Sequence, residues 1–228
     1  MKINLSEIER DALLVHLTFV ASCIMVLIIP FGIAIGIKLL ILVIIYNLLI
    51  VIVGLWRNYK EWLFIWIFTF IISIFQVFPD WILSGELNIL VFPEDGLFKI
   101  GTVSGYMLGL WTIPLFIILF LGLRIQERVS QKAAFLSVIL LSLVIFGGSE
   151  QSMWMLQSWY AQNVIMIGHV AIYIIIPEIM LGLFTYYCYE MIKKKSHFLK
   201  IPVGFIVMII YTGSAVFFYF LIERVIFP

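Results

Sequence analysis

Charge is scarce in this chain. Asp, Glu, Lys and Arg together supply only 12% of its 228 residues, where soluble domains carry about 25%, and this excludes a soluble globular domain. The charge that is present is balanced, 14 Lys and Arg against 13 Asp and Glu. Without a basic surplus there is no electrostatic footprint for nucleic acid, which is not an expected partner. Cysteine is nearly absent. Cys23 and Cys188 lie in separate apolar stretches with no CxxC or Cys/His cluster, so neither a disulfide framework nor a zinc site is expected, and both thiols read as small core hydrophobes. The three histidines, His16, His169 and His197, fall at different depths and no metal is expected. There is no GxxxxGK[ST], GxSxG or HExxH run, and no Lys inside the seventh apolar stretch to form a retinal Schiff base. No cofactor is expected. The first ten residues hold Glu7 and Glu9 and no basic region before an apolar run, so no secretory signal is expected and the first helix reads as an anchor.

What is abundant is apolar surface. Hydrophobic residues make up 64% of the chain and aromatics 16%, with a mean hydropathy of +1.18. Such a composition excludes disorder and makes the bilayer the solvent. About 20 apolar residues span the hydrocarbon layer as a helix. Seven such stretches predict an all-α polytopic bundle, a single transmembrane domain over residues 1–228. They run over Ala12 to Ile29, Lys38 to Trp56, Trp62 to Leu83, Val103 to Leu123, Ala133 to Phe146, Asn163 to Ile192 and Ile201 to Ile226. Pro30 and Gly32 separate the first two, and Arg57, Asn58 and Lys60 the next pair. With seven spans, Lys2, Arg10, Arg57, Lys60, Arg124, Arg128, Lys132, Lys193, Lys194, Lys195 and Lys200 share one side, which is 11 of the 14 cations. Cytoplasmic loops carry that excess, so the N-terminus is expected in the cytoplasm and the C-terminus outside, in a cell membrane of the bacterial inner-membrane kind. Asp80, Glu86, Glu94, Asp95, Glu150 and Glu223 then fall on the outer side.

An ionisable group at bilayer depth costs roughly 2.5 to 3.5 kcal/mol on insertion scales and is a functional candidate by default. Glu178 follows Pro177 near the middle of the 163–192 stretch and is expected close to the midplane. Pro177 withdraws an N–H from the Tyr173 carbonyl, which predicts a bend. His169 and Tyr173 share one helix face, and Glu178, Gly182, Thr185 and Tyr186 a second. Asn47, Trp111, Thr112 and Tyr211 lie at similar depth on other helices, as pocket lining or as interhelical glue. Gln76 and Asp80, at the end of the third stretch, and Glu150, after Gly147-Gly148-Ser149, form a second group with His169. The segment from Ser152 to Tyr160 is expected to lie flat in the interface. Its Trp154 and Trp159 are belt residues or the walls of an aromatic pocket. In the loop from Gly85 to Gly101, Phe92-Pro93-Glu94-Asp95-Gly96 is a turn, serving as a lid or a plain return.

The run Gly105-Tyr106-Met107-Leu108-Gly109-Leu110-Trp111-Thr112-Ile113-Pro114, with His169-Val170-Ala171-Ile172-Tyr173 and Pro177-Glu178 further on, resembles a small bacterial integral-membrane family of unknown function. In size and helix count the chain is also similar to membrane-embedded terpene cyclases and carotenoid-modifying enzymes, which implies chemistry by intramembrane carboxylates. That second likeness is one of architecture and comes without a diagnostic motif.

Three functions are compatible with these residues. The first is an enzyme that holds a lipid or isoprenoid ligand in an aromatic-lined cavity. Glu178 would be its acid, with His169, Asp80 and Glu150 as further acid/base groups; Asn47, Gln76, Trp111, Thr112, Trp154, Trp159, Tyr173 and Tyr211 would contact substrate. The second is a small proton- or cation-coupled transporter or channel with Glu178 on its path. The third is a non-catalytic membrane partner or sensor.

Overall fold

The computed structural model describes residues 5–28 and 32–227. Lys2 and the expected break at Pro30 lie outside the described residues. Among these, seven helical spans are long and apolar enough to cross a membrane, and the chain is a multi-pass membrane protein of the all-α class.

The first span is α1 (Glu7–Ile28) and the second α2 (Ile35–Trp56). The third is α3 (Lys60–Phe75), a turn at Gln76, then α4 (Val77–Trp81) and a widened π-type turn to Glu86. The fourth is α5 (Met107–Leu110), a turn at Trp111, then α6 (Thr112–Arg128). The fifth is α7 (Gln131–Ser152), running on through a 3-10 turn at Met153–Leu156. The sixth is α8 (Ile172–Ile192), and the seventh α9 (Lys200–Phe220) with a terminal π-type turn at Leu221–Ile226.

Three span boundaries differ from the sequence expectation in ways that move the site. The sixth helix begins at Ile172 rather than Asn163, because residues 163–171 fold as a hairpin in which Asn163 and Gly168 adopt positive φ. The fourth begins at Met107 rather than Val103, since Val103–Ser104 is a strand. The fifth, expected to end at Phe146, continues through Gly147 and Gly148 to Ser152. The stretch after it is therefore not wholly interfacial, and Glu150 lies inside the helix. A Cβ added to either glycine would meet nothing within 4 Å. Facing lipid, a backbone finds partners for its own polar groups only by staying helical.

α8 packs along α9 and α7, α6 along α7, and α3 against both α9 and α6, whereas α1 lies mainly along α2. The core is aromatic: Tyr46, Trp62, Phe68 and Phe116 are fully buried, with the Trp62 ring 5.5 Å from Phe116 and 5.8 Å from Phe120. At the end carrying the N-terminus, Arg57 pairs with Asp11 at 2.6 Å, Arg124 with Glu61 at 2.5 Å, and Arg128 with Glu9. These tie the first four spans together where the bundle meets water, each at a strength of about 0–1 kcal/mol.

The opposite end is closed by the two long loops. β1 (Leu90–Val91) pairs antiparallel with β4 (Tyr160–Ala161), β2 (Lys99–Ile100) with β3 (Val103–Ser104), and β5 (Met166–Ile167) with β6 (Val170–Ala171). The Tyr106 hydroxyl reaches Ser158 at 2.8 Å, and Gln162 donates to Asn88 Oδ1 at 2.9 Å. The 92–96 turn docks on the start of α2, where the Gly36 N–H donates to the Asp95 carbonyl at 2.8 Å. Gly96 takes φ +78° there, and a Cβ on it would lie 2.4 Å from Ala34 Cβ. The loop is part of a stitched cap rather than a plain return.

Candidate functional site

Three carboxyl groups from three spans meet beneath this cap. Asp80 lies in α4, Glu150 in the last turn of α7 and Glu178 in the second turn of α8, all within electrostatic reach of one another. The late start of α8 corrects the expected depth of Glu178. It sits six residues into the helix, about 9 Å from its beginning at 1.5 Å per residue, in the third of the span nearest the cap rather than at the midplane. The same correction brings it to the level of the other two acids.

Tryptophans hold two of the acids. The Trp111 indole donates to Asp80 Oδ2 at 3.1 Å, and the Trp159 indole to Glu150 Oε1 at 2.9 Å. Trp111 is fixed in turn by Phe146 at 5.5 Å and by Tyr211, edge-on at 5.9 Å. Its position follows from the break between α5 and α6. Pro114 cannot bond the Leu110 carbonyl, and α5 ends at Leu110. Glu178 is 3% exposed, and none of the described residues donates a hydrogen bond to its carboxyl group.

Glu178 and Glu150 contribute to the wall of a cavity of about 220 Å³. The rest of that wall is almost wholly apolar. It includes Phe19, Cys23 and Leu27 of α1, Leu39 and Val43 of α2, Met107 and Trp111 of the fourth span, and Ile145 and Phe146 of α7. A smaller cavity of about 30 Å³ lies between Asp80, Glu150, Trp111, Trp159, Tyr173 and Tyr211. Met107, Trp111, Glu150 and Trp159 belong to both walls.

Seven of the residues singled out in the sequence are thus assembled around the two cavities: Asp80, Glu150 and Glu178 with Trp111, Trp159, Tyr173 and Tyr211. Five others line neither. His169 is not on a helix face with Tyr173. It sits in the β5–β6 hairpin, stacked on Trp154 with ring centroids 4.2 Å apart, and its backbone N–H donates to Gln151 Oε1. Trp154 accordingly belongs to the cap surface and is 39% exposed. Asn47 accepts from the Trp66 indole at 2.9 Å and donates to the Val43 carbonyl at 2.8 Å, an interhelical tie. Gln76 and Thr112 are fully buried, and their side-chain polar atoms have no hydrogen-bond partner among the described residues. The wall contributed by α1 was not foreseen, because an apolar stretch facing a cavity reads like one facing lipid.

Below Glu178 the sixth and fifth spans close on each other. A Cβ on Gly182 would come 1.9 Å from Ser142 Oγ, so the backbone of α8 lies directly against that side chain. Among the described residues, no group of three or more His, Cys, Asp or Glu side chains is arranged to hold a metal ion.

Residues 77–222 match the model of a family described as a domain of unknown function, DUF6989, and the chain belongs to that family. The matched region contains all three acids and both tryptophans, while α1, α2 and α3 precede it. No curated protein and no solved structure matches the chain.

Proposed function

We propose that this family member is a membrane-embedded enzyme acting on a lipid or isoprenoid substrate. The large cavity receives the hydrocarbon, and Glu178, with Glu150 and Asp80 behind it, performs acid–base chemistry. The observation that carries this reading is Glu178 itself: a carboxyl group with no donor among the described residues, on the wall of a cavity that is almost wholly apolar apart from it and Glu150. A buried ionisable group with no structural partner is a functional candidate, and convergent polar groups in an apolar pocket are the ordinary form of a ligand site.

An apolar cavity of about 150 Å³ takes a benzene ring, so 220 Å³ admits a larger hydrocarbon segment. The remainder of a long chain would extend into the bilayer. Proton transfer from Glu178 to a carbon–carbon double bond moves the π pair into a new C–H bond and leaves a cation on the neighbouring carbon. The faces of Trp111 and Trp159 are suited to stabilising that charge. Loss of an adjacent C–H proton to a carboxylate of the cluster then restores a double bond, giving an isomerised or cyclised product as in the terpene cyclases the architecture resembles. The almost wholly apolar wall of the large cavity favours an enzyme over a transporter, which would need a polar path onward to the other face. The distribution of cations supports a cytoplasmic N-terminus with the cap and its site on the outer side, in a membrane we take to be a bacterial inner membrane.

The test uses purified protein and a farnesol-type polyprenol carrying a diazirine. Photolysis should place adducts on cavity-wall residues such as Cys23, Met107 and Ile145, competed by unlabelled polyprenol. In D₂O, a panel of polyprenols should gain carbon-bound deuterium with the parent protein and not with Glu178→Gln. Adducts confined to lipid-facing positions would overturn the proposal.

A further inference from the structure

We infer that the smaller cavity is a water site, in which one or two water molecules bridge Asp80 and Glu150 and connect them to Tyr173 and Tyr211. Its purpose rests on the acid–base reading above; its existence does not. A water molecule needs roughly 10–15 Å³ of such space and two to four polar partners. The cavity offers about 30 Å³, room for two.

The polar partners are present and otherwise uncommitted. Asp80 gives Oδ2 to the Trp111 indole and Glu150 gives Oε1 to the Trp159 indole, which leaves Oδ1 and Oε2 without protein donors among the described residues. Tyr173 and Tyr211 are each 2% exposed, and neither phenol hydroxyl has a hydrogen-bond partner among the described residues. The set is complementary to water and to little else of that size. Two carboxyl oxygens accept, two phenols donate, and water does both. The large cavity differs in kind, because its wall is hydrocarbon apart from the acids at one end, and apolar cavities exclude water.

The placement gives the water a role. Glu150 borders both cavities, whereas Asp80 borders only the small one and Glu178 only the large one. A proton leaving Asp80 is taken up by a water oxygen as that water releases one of its own to the Glu150 carboxylate, so the water is regenerated and the proton has crossed the cavity. Glu150 then shares the wall of the large cavity with Glu178. The chain Asp80, water, Glu150 thereby supplies or removes protons at the hydrocarbon site without opening it to bulk solvent.

Radiolytic hydroxyl labelling of the purified protein by synchrotron X-rays tests the water site without any substrate, since bound water generates the radical where it sits. Tyr173 and Tyr211 should label at least fivefold faster than Tyr46 and Tyr189, which are 0% and 1% exposed and border neither cavity. Ala171→Val, whose added methyl groups occupy the small cavity, should return both to the control rate, with Ala161→Val as a second filling variant. Labelling of Tyr173 and Tyr211 no faster than the controls overturns the inference, and so does fast labelling that filling leaves unchanged. Labelling as expected alongside polyprenol adducts confined to lipid-facing positions would retain the water site and remove only the hydrocarbon ligand.

Discussion

The contact between Gly182 and Ser142 yields the sharpest stability prediction. In Gly182→Ala the new methyl would arrive 1.9 Å from Ser142 Oγ and 3.2 Å from Ser142 Cβ, while carbon atoms rest about 3.5–4.0 Å apart. The hydroxyl must be displaced by roughly 1.5–2 Å, Ser142 is fully buried, and even with the hydroxyl turned away its Cβ stays 3.2 Å from the new methyl. Overpacking of this size costs about 1–3 kcal/mol, and in lipid no hydrophobic force presses the separated helices back together. Ser142→Ala alone removes a hydroxyl that has no hydrogen-bond partner among the described residues and should be neutral or slightly stabilising. The double variant keeps only the 3.2 Å approach, so it should recover most of the loss, giving a coupling of about 1–2 kcal/mol. The assay is reversible unfolding in mixed micelles with increasing SDS, followed by tryptophan fluorescence across the four variants. A Gly182→Ala protein as stable as the parent, or a double variant whose loss is the sum of the single losses, would refute the packing argument.

The tryptophan donors make a second prediction, measured in the same assay: Trp111→Phe and Trp159→Phe each leave a carboxyl oxygen without its donor and should lose about 1–3 kcal/mol. Gly96→Ala combines a positive φ with a 2.4 Å approach to Ala34, at about 1–2 kcal/mol for the backbone alone. It should free the cap turn from α2, read as faster tryptic cleavage at Lys99. Tyr106, in the cap outside the spans, has its phenol pushed up to about 12 by burial. The folded state therefore holds that proton more tightly than the unfolded chain, whose phenol titrates near 10. The associated stability of about 2–3 kcal/mol is complete below pH 10 and is lost as pH rises toward 12. In alkaline titration Tyr106→Phe should show the shallower decline, and equal slopes would remove the burial argument.

The seven spans were legible because scarcity of charge makes each exit into water conspicuous, as at Arg57 to Lys60 and Lys193 to Lys200. The ends of the spans were not. Residues 163–171 are nearly as apolar as the helix they precede, and a hydropathy window averages over the two residues that betray the hairpin, Asn163 and Gly168. At the fifth span the error ran the other way: Gly147 and Gly148 looked like a terminus, but toward lipid there is no alternative to helix. Both errors concerned depth, and depth is what decides which acids can meet. Asp80, Glu150 and Glu178 were each singled out in the sequence, but in two separate groups. His169 was grouped with them only because the hairpin was read as helix.

One feature of the sequence accounts for the height of the cluster. Pro79, Pro114 and Pro177 stand on three different spans, and each withdraws an N–H from the carbonyl four residues earlier, at Phe75, Leu110 and Tyr173. The first two losses coincide with the ends of α3 and α5. The third falls in the opening turns of α8, which runs on unbroken. A carbonyl released in lipid must find another partner, so each such loss favours polar surroundings over a dry contact. Asp80 and Glu178 directly follow Pro79 and Pro177, and Trp111 occupies the turn beside Pro114. The backbone breaks and the acids are therefore one device: the prolines that interrupt or weaken the helices set the depth at which carboxyl groups are placed, and Trp111, at one of the breaks, donates to the acid that follows another.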